Sequence, residues 1–229
     1  MAQTFGAQSS QSSCAQSSRA QSSRERLNHL LDLAAQGPEG RTALLGELAG
    51  LLVDWPADYA QAMRAPFEAL FEKTARETDR FGRAAVAPTL SGHDELPVAL
   101  LNEFFLDAPA SLRAEILKRN DALDADATEP APARADGEAL VGAARRTVNG
   151  AFAEVFARAL SLRRPLAQAI LDDASGEALA VACKGAGLDR AAYSAVALMA
   201  GCPPSQLAGY DAIPDAAAGR LTRFWQERG

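Results

Sequence analysis

Histidine is nearly missing from this chain. The two in 229 residues, His29 and His93, lie far apart without ligand-spaced neighbours, which removes the usual framework of a zinc or other metal centre. Cysteine is almost as scarce: Cys14, Cys183 and Cys202 are odd in number, widely spaced and form no CxxC. They build neither a disulfide framework nor a zinc site, and a reducing cytoplasm is the expected setting. Aromatic residues make up only 6% of the chain, and valine and isoleucine are sparse, which argues against a β-sheet protein. No apolar run approaches the roughly 18 residues of a membrane span, and the first two dozen residues lack the apolar stretch of a signal peptide. There is no GxxxxGK[ST], no GxSxG and no strand ahead of a glycine-rich loop, so nucleotide hydrolysis, acyl transfer and dinucleotide chemistry lack their motifs.

What is present is alanine and leucine in helical spacing. Hydrophobic residues are 48% of the chain, enough for a substantial core, and the expected class is all-α. Residues 1–22 repeat Ala-Gln-Ser-Ser and read as a disordered tail. Residues 23–120 read as an N-terminal helical repeat region of three hairpins. In the first, Leu27, Leu30, Leu31 and Ala34 share a face, Gly37-Pro38 breaks the chain, and Leu44, Leu45, Leu48, Leu51 and Leu52 form the second stripe. The next pairs a long helix through Met63, Phe67, Leu70 and Phe71 with a segment Phe81–Leu90 entered at Thr78-Asp79. The third joins Asp94–Leu106 to Ala108–Asn120, with Asp107 as N-cap and Pro109 in the first turn.

Residues 121–136, DALDADATEPAPARAD, form an acidic Pro/Ala linker. Residues 137–229 then carry helical patterns over Gly137–Leu160, from Pro165 through Leu171, and over Ser175–Ala186, Asp189–Ala200 and Ala212–Glu227, with Gly187 as a stop and Asp189 as an N-cap. Formal charge is −6 overall, −5 over Leu27–Asn120 and +1 over Gly137–Gly229, a balance that disfavours nucleic acid.

Three stretches, LLGELAGLLVDWP (Leu44–Pro56), LLNEFFLDAP with LRAEILKRN (Leu100–Asn120), and SGEALAVACKGAGL (Ser175–Leu188), resemble an alphaproteobacterial family known as domain of unknown function 2336. The resemblance implies an irregular HEAT-like array of helical hairpins, a bacterial cytoplasmic setting and a non-enzymatic role. It brings no catalytic or cofactor residues.

The expected function is therefore a protein-binding adaptor or regulator that needs no cofactor and acts on another bacterial protein. The alternative is a signalling bundle that takes a phosphoryl group, with His29 as acceptor, or a small ligand. Candidate partner-binding residues are Arg64, Asn102, Arg113, Arg119 and Asn120. Arginine is favoured at interfaces, and Arg113, Arg119 and Asn120 would then lie on an exposed hairpin face. The competing reading makes Asp107 and Arg113 helix caps and bridges between repeats. Arg145-Arg146 and Arg163-Arg164 read as solvated helix faces, and Lys184-Gly185-Ala186-Gly187 as a helix end. Cys14, on an accessible tail, and Cys202, before Pro203-Pro204, are candidate redox thiols for a homodimer, whereas Cys183 reads as a buried hydrophobe.

Overall fold

Alternating leucine pairs along a single helix organise the first part of the chain. The computed structural model describes residues 25–57, 59–123, 134–146 and 151–228, and among these all regular elements are helices or 3-10 turns. The chain divides into two compact units, Met1–Leu96 and Pro97–Gly229.

In the first unit, α1 (25–35) leads into α2 (Arg41–Val53), which buries Leu44, Leu45, Leu48, Ala49, Leu51 and Leu52. Helix α2 packs against α3 (Arg64–Glu77), α4 (Arg80–Val86) and the 3-10 turn Ala87–Leu90. Asp79 caps α4 by accepting from the Gly82 N–H at 2.7 Å, worth about 1 kcal/mol. The stripe on α2 is as expected, but that on α1 is not. Leu30 and Leu33 are buried, whereas Leu31 is 67% exposed and Ala34 is exposed. The seam of α1 is narrower than the apolar face its leucines offer, so an i, i+3 pair enters the core and its neighbours stay in water.

The second unit contains α5 (Val98–Asn102), α6 (Ala110–Ala122), α7 (Gly137–Arg146), α8 (Phe152–Leu160), α9 (Arg164–Leu171), α10 (Glu177–Gly185), α11 (Arg190–Met199), α12 (Gly209–Ala212) and α13 (Asp215–Glu227). Its centre is α10, where each residue from Ala178 to Cys183 is buried. Helices α9, α11, α12 and α13 pack around it; α6 joins α13 and α5, while α7 rests on α8 and α11. The third hairpin therefore belongs to this unit and not to a repeat region ending at residue 120. The expected helix Gly137–Leu160 is two helices, α7 and α8, and Val148 lies outside the described residues, as does most of the acidic linker. Asp107 is not an N-cap. It closes a 3-10 turn, Phe105–Asp107, and Pro109 holds the position before α6 without a side-chain bond. The Asp189 cap is confirmed by its bond to the Ala192 N–H at 2.8 Å, and Gly187 ends α10 with φ +76°.

Close approach of α10 and α13 needs a residue without a side chain. A Cβ at Gly185 would stand 2.1 Å from Thr222 Oγ1 and 2.3 Å from the Ala218 carbonyl oxygen. Gly185→Ala is expected to lower stability by about 1–3 kcal/mol or more in chemical denaturation, as overpacking does. Gly46→Ala on α2, whose Cβ would meet Val86 Cγ2 at a comfortable 3.8 Å, should instead raise it by about 0.5–1 kcal/mol. Equal effects at the two sites would contradict the packing described.

Candidate functional site

Arg113 sits in the first turn of α6 and turns back across the preceding chain. Its Nε donates to the Ala108 carbonyl at 3.1 Å and one terminal nitrogen to the Leu106 carbonyl at 2.8 Å. The other terminal nitrogen reaches Asp173 Oδ2 at 2.9 Å and Ser175 Oγ at 2.8 Å, with Glu177 3.8 Å away. The guanidinium also lies 5.4 Å over the Phe105 ring, so its charge is enclosed from several sides.

Asp173 is at once partner to Arg113 and cap to α10. Its carboxylate accepts from the Ala178 N–H at 3.0 Å, from the Ser175 hydroxyl at 2.7 Å and from the Ser175 N–H at 3.4 Å. Burial opposes its ionisation, yet bonds from Arg113, Ala178 and Ser175, with the charge of Arg113, hold its carboxyl below the ordinary carboxylate value. Glu177 moves the other way: burial pushes it up, Arg113 only partly offsets this, and the Asp173 charge adds to the rise.

Beside this node, Asn120 donates to Asn102 Oδ1 at 2.8 Å and to the Ile116 carbonyl at 2.9 Å, and Asn102 returns a longer bond of 3.4 Å. The backbone carbonyl of Asn120 accepts from Arg220 of α13.

These positions correct the expected binding face. Arg113 is 7% exposed and Asn120 1%, Asn102 is buried, and their polar atoms are used inside the unit. Arg119 pairs with Glu115 on its own helix at 3.8 Å. Arg64, in the first unit, bonds Glu68 and the Glu95 carbonyl and lies 5.9 Å over Trp55. Arginine serves here as an internal clamp because its fork satisfies several carbonyls and a carboxylate at once. Asp173, Ser175 and Glu177 were not singled out from sequence, although an acid and a serine just before the apolar run Ala178–Cys183 are a helix-start signal.

Outside the node lies an open groove of about 550 Å³. One wall is α6, with Ala114, Leu117, Lys118 and Asp121. The second is the start of α10, with Gly176, Glu177 and Ala180, and the third is the chain from Gln206 through Gly209 and Ala212 to Pro214. A second depression of about 590 Å³ separates α7 from α11, along Val141, Arg145 and Ala192.

Cys14 lies outside the described residues. Burial pushes the thiol of Cys183 far up, and burial followed by the nearby Asp173 carboxylate raises that of half-buried Cys202, the opposite of an activated thiolate. Tyr193, stacked on Tyr210 at 4.7 Å, is pushed up to about 12 by burial and the neighbouring thiols. His29 is exposed on α1 and His93 is half-buried in a turn. Among the described residues no group of three potential ligands is placed to hold a metal ion, and no helix is long and apolar enough to cross a membrane. Comparison with protein-family models, curated proteins and solved structures finds no match for the chain.

Arg113→Ala should cost about 3–5 kcal/mol, because it leaves Asp173 enclosed and without its cation, whereas Arg119→Ala, whose 3.8 Å ion pair stays within one helix, should cost clearly less. Asp173 has a folded pKa below its unfolded one, so its stabilisation is complete above the unfolded carboxylate range near pH 4 and is lost as pH falls through the folded value. Asp173→Asn is therefore expected to flatten the acid limb of the stability profile; an unchanged limb would remove this carboxylate from the account. In thiol labelling at neutral pH, Cys202 should react more slowly than a free cysteine and Cys183 only on unfolding, so fast labelling of a Cys14→Ser protein would contradict both placements.

Proposed function

We propose that this protein is a non-enzymatic adaptor or regulator that binds another protein through exposed helix faces. The observation that carries the reading is Phe81, which is 80% exposed on α4 of the first unit. Its helix is firmly seated: Asp79 caps the start, Val86 is buried, and a Cβ at Gly82 would strike Thr42 and Thr78. The ring is thus displayed by an anchored element, and a partner that covered it would gain about 1.5–3 kcal/mol from burial alone. Helix α3 of the same unit adds exposed Pro66, Ala69 and Leu70 at helical spacing.

The polar node around Arg113 gives no support to a catalytic role, since its donors and acceptors are directed at one another. Kinship with the family named domain of unknown function 2336 belongs to the same proposal. In its favour, the three resembling stretches supply α2, α5 with α6, and α10, each of which buries an apolar face in its unit. A bacterial partner, a cytoplasmic setting and a redox-linked dimer through Cys14 rest on sequence alone.

Phe81→Asp should leave the melting temperature nearly unchanged, as at other exposed sites, and weaken association with a stoichiometric partner by about tenfold or more. Undiminished affinity, measured by calorimetry on the purified pair, would remove Phe81 from the interface and leave the adaptor reading without its main support.

A further inference from the structure

Helix α11 is apolar on two sides. In its sequence, RAAYSAVALM, only Arg190 at the start and Ser194 interrupt an apolar and aromatic run. Tyr193, Val196 and Ala197 enter the core. Ala191, Ala192, Ala195, Leu198 and Met199 fall on a second arc of about 120°, which the unit leaves exposed or half-exposed. Leu198 is 54% exposed and Met199 38%. A helix with apolar residues nearly all round is ordinarily enclosed, so the outer arc calls for a cover.

Helix α7 runs beside this arc and in the same direction. The Ala135 N–H meets the Ala186 carbonyl at 2.9 Å, and a Cβ at Gly137 would then stand 2.9 Å from the Ala192 Cβ. The depression of about 590 Å³ between the two helices has Asp136, Glu138 and Asp189 at one end and Arg145 at the other. Arg146 folds back over Gly142, with a terminal nitrogen 3.5 Å from where a Cβ there would lie. At the acidic end Arg134 packs along Gly187 and Arg190 pairs with Asp211, which leaves the acids in excess. Seven residues, about 10 Å of helix, separate Glu138 from Arg145, more than the i, i+4 spacing of an ion pair along one helix. Size follows the same gradient as charge. Ala191 and Ala192 lie toward the acidic end, Leu198 and Met199 toward the basic one.

We propose that a second copy of this chain covers the α7–α11 face in an isologous dimer, with α11 antiparallel to its counterpart across a two-fold axis near Gly142 and Ala195. That arrangement sets Leu198 and Met199 of each copy on the small residues Ala191 and Ala192 of the other. It also sets Glu138 against Arg145 of the partner subunit, twice over. Gly142 and Ala195 have too little side chain to hold the helices apart. Large meets small and acid meets base only after a half-turn of the same surface, which singles out a second copy from an unrelated partner. The dimer needs no disulfide and uses the other unit from Phe81, so it goes beyond the adaptor reading and does not rest on it.

The test is sedimentation velocity of the full chain in reductant over a range of concentrations. A monomer–dimer equilibrium that follows mass action is expected, unchanged in Cys14→Ser and in Phe81→Asp. Leu198→Asp, at an exposed position, should keep the circular-dichroism spectrum and weaken dimerisation about tenfold or more. Glu138→Lys and Arg145→Glu should each weaken dimerisation alone, since like charges then meet twice, and an equal mixture of the two variants should restore it. A chain that stays monomeric up to about 1 mM, a dimer indifferent to Leu198→Asp, or a mixture no more dimeric than its separate components would each overturn the proposal.

Discussion

The second unit depends on a buried guanidinium and carboxylate that are sixty residues apart in the chain. Arg113 ties the α5–α6 corner through the Leu106 and Ala108 carbonyls, and Asp173 ties the start of α10 through the Ala178 and Ser175 N–H groups. The bond between them fixes how one corner meets the other. Such a pair need not add net stability, because both charges lose water; apolar groups of the same shape can serve as well or better. What it adds is intolerance of error. A register shift on either side strands a charge in a dry interior, which costs several kilocalories per mole.

The same logic explains the neighbouring contacts. The amides of Asn102 and Asn120 must find each other, since each is buried, and Arg220 then satisfies the Asn120 carbonyl. Lys184 similarly spans to the Tyr210 and Ile213 carbonyls and closes the end of α12. With so many alanines, α10 itself has few large side chains to fix its packing. It relies on close helix approach, as at Gly185, and on polar bonds that have one satisfactory geometry.

The proposed adaptor role rests on surfaces the core does not use. Phe81 is held in water on an anchored helix, and the groove beside α6 is walled by small residues such as Gly176, Ala180 and Gly209.

Much of the local architecture was legible from spacing. The α2 leucines, the Asp189 cap, the Gly187 stop and the break at Gly37-Pro38 follow from periodicity and from what each residue does to its own backbone. The candidate site was legible only in part: a bridging Arg113 was one of two open readings and is the one its bonds support, whereas Asn102 and Asn120 look like surface residues and Asp107 looks like the natural cap. Only the arrival of Asp173 and Ser175 from a remote part of the chain turns Arg113 inward and leaves Asp107 without that task. The boundary at Leu96 was equally hidden behind the acidic segment after residue 120. Helix, turn and cap are chosen by interactions within a few residues of each other, so the linear order suffices for them. Burial of a polar side chain depends on a partner that only tertiary folding brings near.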